Sequence, residues 1–319
     1  MFNLIKNEWM KIFQQKGTYV MIGLLLFMVL VTGAFIKYQE RGGSVPDNQN
    51  WEQGLLLEND SMRKQLEEMG DAVPKNTILP YERQIALNEY RIKNQISPNE
   101  EYSLWSFVND TTFMIEFAGL FTIIIAAGII ASEFNWGTIK LLLIRPIKRA
   151  KILAAKFMTV LLFGFLMLFI LFSFSALLGA LLFGLPEHPT PYLNYYEGVV
   201  TEQSMPLHLF IIFILQSTSM FMLSTMAFMI SAVFRNNSLA IGLSLFFMFT
   251  GRQATELIAL KFSWAKFLLF ANTDLMQYYT GTPMVEGMSL PFSVFMLLIY
   301  FILFLYLAYI VFKKRDVSA

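Results

Sequence analysis

The sequence predicts an all-α membrane protein: a bundle of six transmembrane helices, with an N-terminal amphipathic interface helix and a helical extracellular insertion between spans 1 and 2. Composition is the first observation, because 56% of the 319 residues are hydrophobic and only 15% are charged. Soluble domains carry about 25% charged residues. The second is the mean hydropathy of +0.53. The third is the arrangement, since long uncharged runs alternate with short charged patches.

Charge and cysteine content exclude several classes of function. A net charge of +1 does not suit a chain that binds nucleic acid through a basic surface. The absence of cysteine removes disulfides, thiolate metal sites and cysteine nucleophiles. The sequence also lacks the glycine-rich Walker A loop, so we expect no ATP, cofactor or metal to bind to this chain and no enzymatic activity of its own.

Residues 1–17 predict an amphipathic helix that lies along the inner face of the membrane. Its apolar face is formed by Phe2, Ile5, Trp9, Ile12 and Phe13. Polar residues, among them Lys11, lie on the opposite face. A helix with this pattern places its apolar side at the boundary between headgroups and acyl chains. The alternative is an ordinary basic flank of the first span.

Six segments are predicted to cross the membrane, because about 20 mostly apolar residues suffice for a helical span. They are residues 18–38, 106–132, 157–183, 207–234, 238–260 and 290–312. The connections between them are 39–105, 133–156, 184–206, 235–237 and 261–289, and 313–319 form a tail. The fifth span is the least regular, since Arg252 and Glu256 interrupt its outer end. Their spacing of four permits a pair on one helical face, and the alternative is a helix that breaks and re-enters.

Lysine and arginine residues predict the orientation of the spans. They concentrate at the N terminus, in the connection 133–156 and in the tail, whereas the short connection 184–206 has none. Basic loops stay in the cytoplasm. The sequence therefore predicts a plasma-membrane protein with both termini cytoplasmic.

The long connection 39–105 is predicted to lie outside the cell and to hold two polar helices, over residues 51–69 and 81–96. Pro74 and Pro80 are expected to separate them. Two such helices would form a small hairpin over the outer mouth of the bundle. The alternative is a solvated tether without a specific role.

Ionisable residues inside spans are candidates for function, because charge in hydrocarbon is costly. The candidates are Glu116, Arg252 and Glu256. Glu116 lies one turn inside the outer end of the second span, and we interpret it as a polar anchor rather than an ion-coupling group. Ion-driven carriers place carboxylates near the middle of the membrane, and no carboxylate falls there in this sequence.

The connection 133–156 carries the most informative pattern. Thr138 is predicted to cap a short helix that has Leu142 on its apolar side, and Pro146 would end that helix. A short amphipathic helix in a cytoplasmic loop suits docking into a groove of another protein. The alternative is a basic loop that only sets the topology.

This connection resembles the loop between the second and third spans in permease subunits of type-2 ABC transporters, which has the form E-x-x-x-G-T-x-x-x-L-x-x-x-P-x-x-R. The matching positions are Glu133, Gly137, Thr138, Leu142, Pro146 and Arg149, with Arg145 beside the proline. Lys156 is similar to a basic residue often found before the third span of that family. An N-terminal interface helix, six spans and irregular structure between spans five and six also resemble the family.

The resemblance implies the permease subunit of an ATP-driven exporter. Such a subunit pairs with a second permease chain, identical or similar, and docks on an ABC ATPase that holds ATP and Mg²⁺. The loop would act as a coupling helix, with Glu133 anchoring its start and Arg149 contacting the ATPase or a lipid phosphate. A drug, a peptide such as an antimicrobial peptide, or an amphipathic, lipid-like molecule is the implied substrate. An ion-coupled carrier and a membrane-embedded sensor or accessory protein are the alternatives.

Overall fold

The structure is a computed structural model that describes residues 1–42, 50–70, 75–98, 102–138, 147–186, 191–196, 198–234 and 236–314. Within these ranges the chain is mostly helical. The helices are α1 (Phe2–Gln14), α2 (Lys16–Gly42), α3 (Trp51–Met69), α4 (Lys75–Asn94), α5 (Leu104–Asp110), α6 (Ile115–Asn135), α7 (Arg149–Phe183), α8 (Met205–Val233), α9 (Asn237–Ala259), α10 (Leu269–Thr273), α11 (Met276–Tyr279) and α12 (Leu290–Lys314). Short 3₁₀ helices lie at Thr112–Met114 and Ser263–Phe267, and the strands are β1 (Tyr192–Tyr196) and β2 (Val199–Gln203).

Five helical segments are long and apolar enough to cross a membrane. They are Lys16–Glu40, Leu104–Asn135, Arg149–Phe183, Met205–Val233 and Leu290–Lys314. Their outer faces expose large apolar side chains, including Phe27, Phe35 and Phe295. Water disfavours contiguous apolar surface of this kind, whereas lipid tails do not. The prediction of a mostly helical membrane protein is therefore confirmed at this level.

Helix α6 lies at the centre of the bundle. In the most apolar stretch of its span 67% of the residues are buried, against 17% to 44% in the other four segments. It packs mainly against α8, and also against α7 and α9. Helix α6 therefore contacts most of the long helices of the bundle.

Helix α9 covers the region of the irregular fifth span. It is continuous to Ala259, so the chain does not break at Arg252, and the short helices α10 and α11 follow it. The Arg252 Nε and Glu256 Oε1 atoms lie 2.9 Å apart, the pair that their spacing predicted. Gly251 permits a close approach of α10, since a Cβ atom there would lie 2.3 Å from the Phe270 ring.

The insertion that is predicted to lie outside the cell contains α3 and α4, which pack against each other. We call it the outer insertion, and the side of the bundle on which it lies the outer side. The buried side chain of Asn88 donates from Nδ2 to Asn59 Oδ1 at 2.9 Å, and Arg63 pairs with Glu89 on the surface. The expected break at Pro80 was wrong, because α4 begins at Lys75 and contains that proline. Proline so close to a helix start removes one backbone hydrogen bond without ending the helix.

A β-hairpin occupies part of the connection 184–206, where the sequence predicted only a loop. Strands β1 and β2 are antiparallel, with Tyr192 opposite Gln203 and Tyr196 opposite Val199. The turn contains Gly198 at φ +86°, a conformation that favours glycine. Both strands contact α4. The all-α prediction therefore misses this one small sheet, which joins the outer insertion to the membrane helices.

Candidate functional site

Lys156 is buried near the N-terminal end of α7. Only 1% of it is exposed. Its Nζ atom lies 2.6 Å from Glu8 Oε2 and 2.9 Å from Glu133 Oε1, and it donates to the carbonyl oxygen of Ile129 at 3.0 Å. An ammonium group has three hydrogens, so each finds an acceptor.

Lys11 closes a ring of alternating charges around the same carboxylates. Its Nζ lies 2.7 Å from Glu133 Oε1 and 3.0 Å from Glu8 Oε1. We call Glu8, Lys11, Glu133 and Lys156 the charge cluster. Its two carboxylates and two ammonium groups have no net charge. The side chain of Lys11 is 37% exposed, so it forms the solvent side of the cluster.

Mutual pairing is what makes this burial tolerable. An isolated buried ion is costly, and breaking a buried pair by removing one partner costs about 3–5 kcal/mol. Burial by itself would lower the pKa of Lys11, but the hydrogen bond from Lys11 to Glu133 and the charges of Glu8 and Glu133 outweigh it and raise the pKa above its ordinary value. The ammonium form of Lys11 is therefore the stable one at neutral pH.

The charge cluster ties together three helices that have different places in the chain. Glu8 and Lys11 come from α1, Glu133 from the last turn of α6, and Lys156 from the second turn of α7. Helices α6 and α7 flank the loop that carries the family-like pattern. The cluster therefore fixes the interface helix to both ends of that loop.

The start of the loop is anchored on Glu133. Its Oε2 accepts a hydrogen bond from the hydroxyl of Thr138. Gly137 lies between them at φ +70°, with no atom near the position of a Cβ. The left-handed backbone thus turns the chain back toward α6. The helix that Thr138 is expected to cap would lie in residues 139–146, outside the described residues, so that cap stays a prediction.

Of the remaining residues predicted to act in the loop, the structure describes Arg149. Leu142, Arg145 and Pro146 lie outside the described residues, and their roles stay predictions. Arg149 begins α7, and its Nη1 donates to the carbonyl oxygen of Lys313 at 2.8 Å. This bond links the end of the loop to the last turn of α12, where free carbonyls attract a cation.

The interface helix has the amphipathic pattern that the sequence predicts, with one addition. Ile12 is buried, and the Trp9 and Phe13 rings lie 5.1 Å apart. Phe2 and Ile5 line an apolar crevice of about 490 Å³ against α7. The sequence analysis missed Glu8, which borders the apolar face. An acidic residue beside an apolar stripe and three residues before Lys11 is the signal that could have indicated it.

Glu116, Arg252 and Glu256 come together at the opposite end of the bundle. Arg252 pairs with Glu256 and also with Asp274, whose Oδ2 lies 2.5 Å from its Nη1. Glu116 and Arg252 line a common cavity of about 460 Å³. Glu116 and Glu133 are 17 residues apart on α6, about 26 Å along the axis. These residues therefore form a separate outer group.

A second outer group was not predicted from the sequence. The ring of His208 stacks on Tyr192, and its Nδ1 lies 2.9 Å from Tyr279 Oη. Tyr279 donates to Gln203 Oε1 at 2.9 Å. Burial raises the pKa of Tyr279 to about 12, so the phenol keeps its proton. These contacts join β1, β2, α8 and α11, and no sequence pattern indicates such long-range pairs.

Comparison with known proteins gives one family and two relatives. Residues 82–318 match the model of the family described as "Protein of unknown function (DUF2705)". The chain is 49% identical over 320 residues to the uncharacterized protein YhcI of Bacillus subtilis (strain 168), which covers 100% of both chains. It is 34% identical over 200 residues to the uncharacterized membrane protein YdbK of the same organism, covering 61% of this chain and 76% of that one.

Proposed function

The chain belongs to the DUF2705 family, and from the site described above we propose that it is the permease subunit of an ATP-driven ABC exporter. Energy comes from a separate ATPase subunit that holds ATP and Mg²⁺. The charge cluster is the observation that carries this proposal. It ties the interface helix to both ends of the loop that resembles a coupling helix.

The mechanism follows from which elements are tied together. Closure of the ATPase on nucleotide pushes the loop, and Glu133 and Lys156 pass that displacement to α6 and α7. Glu8 carries it on to α1, so the interface helix moves with the bundle rather than staying in the membrane surface. Four mutually paired charges resist separation, because each loses its compensation when the others leave. Apolar contacts alone are non-directional, so they would hold the loop less firmly to α6 and α7 during this displacement.

The proposed topology has six spans, with α9 as the fifth. Its 23 residues are about 34 Å long, and the hydrocarbon core is about 30 Å thick. Both termini then lie in the cytoplasm, and the α3–α4 insertion lies outside the cell. A second permease chain completes the transporter, as in the family that the loop resembles.

The charge distribution supports an ATP-driven transporter over an ion-coupled carrier. Glu116 and Glu133 lie in the first and last turns of α6, and Lys156 lies in the second turn of α7. An ion-coupled carrier relies on ionisable groups near the middle of the membrane. Energy from a docked ATPase requires no such group.

Co-purification tests the proposal. The tagged chain, extracted from its own membrane in mild detergent, is expected to bring with it a subunit that contains a Walker A loop and hydrolyses ATP. The Lys156→Met variant should lose that subunit, whereas Lys151→Met, an exposed lysine on the same helix, should keep it. Recovery of the intact chain without any ATPase would contradict the proposal.

A further inference from the structure

A cavity of about 700 Å³ lies beneath the outer insertion. Its volume falls in the range of small-molecule sites, about 300–1,000 Å³. Helix α4 forms one wall, and the β-hairpin forms another. The start of α5 and the start of α8 complete it, so the cavity lies between the insertion and the outer ends of two apolar helical segments. The side chains used below are Arg83, Leu87, Arg91, Trp105, Leu193 and Glu202.

The α4 wall of the cavity is cationic. Arg83 and Arg91 are eight residues apart on that helix, about 12 Å along its axis, and both are half-buried. Arg83 donates from Nη2 to Tyr192 Oη at 3.4 Å. Among the residues that the structure describes, neither guanidinium has a carboxylate within ion-pair distance. Arg63, on the exposed surface of α3, does pair with Glu89 of α4.

Glu202, the acidic residue in the described part of the lining, already has a hydrogen-bond partner. Glu202 accepts a hydrogen bond from the hydroxyl of Tyr90 at 3.2 Å, and burial raises the pKa of Tyr90, so the phenol keeps the proton that it donates. The described lining residues include two arginines and one carboxylate, so this described part of the lining has a net positive charge. A cationic ligand would be repelled, and an anion would satisfy guanidinium groups that form strong bidentate bonds with carboxylate or phosphate.

The lining also contains apolar side chains. Leu87 lies between the two arginines on α4, and Trp105 and Leu193 face the same space. An indole ring offers a large apolar contact surface. The cavity therefore combines anion-binding groups with a surface that suits an alkyl or aryl body.

We propose that this cavity binds an amphipathic anion, a carboxylate or phosphate joined to an apolar chain. The inference names a substrate class for the exporter and to that extent depends on the proposed function. Arg83 and Arg91 bind the anionic group, and Trp105 contacts the apolar part. Because the cavity joins the insertion to α5 and α8, its occupant contacts the outer insertion and the membrane helices at once.

Fluorescence quenching tests the site on the purified full chain in phosphatidylcholine nanodiscs. The probe is 12-bromododecanoate, since bromine quenches tryptophan at close range, and 12-bromododecanol is its uncharged match. Subtracting the signal of Trp105→Phe isolates Trp105. Saturable quenching by the carboxylate is expected, with binding at least tenfold weaker to the alcohol.

Two variants give the decisive comparison. Arg83→Gln with Arg91→Gln should weaken binding of the carboxylate at least tenfold and leave binding of the alcohol unchanged. Arg63→Gln, the matched control, should behave as the wild type. Unchanged carboxylate binding in the double variant, equal binding of acid and alcohol, or quenching independent of Trp105 would each overturn the proposal.

The same assay separates the two sources of such an anion. If phosphatidylglycerol in the nanodisc competes with the probe, the ligand is a membrane lipid with an anionic headgroup. If it does not compete, the ligand is a soluble amphiphile, and both results support the site. No ATPase takes part in the measurement, so failure of this site is distinguishable from failure of the exporter proposal, which co-purification decides.

Discussion

At the scale of single residues, the sequence indicated two members of the charge cluster but not the contacts between them. Glu133 and Lys156 were both singled out from the sequence, one as the anchor of the loop and one as a basic residue before the next span. Their contact across 23 positions was not predicted, and neither was Glu8, which is separated from Lys156 by 148 positions. Pattern and spacing describe neighbours along one helix, whereas these contacts depend on how helices pack.

Removing the amine of Lys156 should destabilise the protein. In Lys156→Met the side-chain length is kept, but Glu8 and Glu133 retain only Lys11 as a cationic partner. An uncompensated buried charge costs about 3–5 kcal/mol. We expect a lower midpoint of thermal unfolding in detergent, measured by size-exclusion chromatography after heating. Lys151→Met should have no effect, and adding Glu8→Gln to Lys156→Met should recover part of the loss. A wild-type midpoint for Lys156→Met would refute the stabilising role of the cluster.

Gly137 gives a second test at this scale, because its φ of +70° and open surroundings separate backbone strain from crowding. Valine is β-branched and strongly disfavoured in this conformation, whereas asparagine tolerates it. Gly137→Val should therefore impair the turn after α6, and transport should fall further than ATP hydrolysis. Gly137→Asn should retain both activities. Equal behaviour of the two variants would show that the turn does not depend on the glycine.

At the scale of elements, helices followed from the sequence better than the small sheet did. Length and apolar content identify a helix such as α7, since few other structures accommodate so long an uncharged run. The hairpin β1–β2 is five residues on each side, and its pairing depends on contacts with α4 that a local pattern does not contain. Pro80 misled the prediction of α4 because a proline removes only one backbone hydrogen bond, and here the helix continues on both sides of it.

In the proposed function, docking of the ATPase depends on the loop between α6 and α7. A substitution at Leu142, which lies outside the described ranges, tests this dependence. Leu142→Asp places a charge on the predicted apolar face. Losing a buried anchor at an interface costs about 2 kcal/mol or more, close to a factor of 30 in affinity. We expect the variant to insert normally and to lose its ATPase during purification. Leu141→Asp changes the opposite face of the predicted helix and should keep it. Retention of the ATPase by both variants would leave the loop with only a topological role.

At the scale of the whole molecule, the ends of the bundle differ in what holds them together. The end that is predicted to be cytoplasmic is tied by the charge cluster and by the bond from Arg149 to the Lys313 carbonyl. The end that is predicted to lie outside the cell is joined by the contacts of His208 and Tyr279 and holds the cavities of about 700 and 460 Å³. The sequence predicted the polar insertion and the basic cytoplasmic face, because composition and charge are local. The cavities arise from elements far apart in the chain and could not be predicted from it.

The orientation of this arrangement can be tested directly, because the chain contains no cysteine. Single cysteines at Gln65 on α3 and at Asn135 at the end of α6 would both be exposed. Asn59 would not serve, because it is buried against Asn88. In intact cells a membrane-impermeant maleimide should label Gln65→Cys and not Asn135→Cys, and after permeabilisation it should label both. This result is expected because basic loops remain inside, and it places the 700 Å³ cavity outside the cell and the charge cluster at the cytoplasmic face. Labelling of Asn135→Cys but not Gln65→Cys in intact cells would reverse the topology, and an ATPase could then not reach the loop.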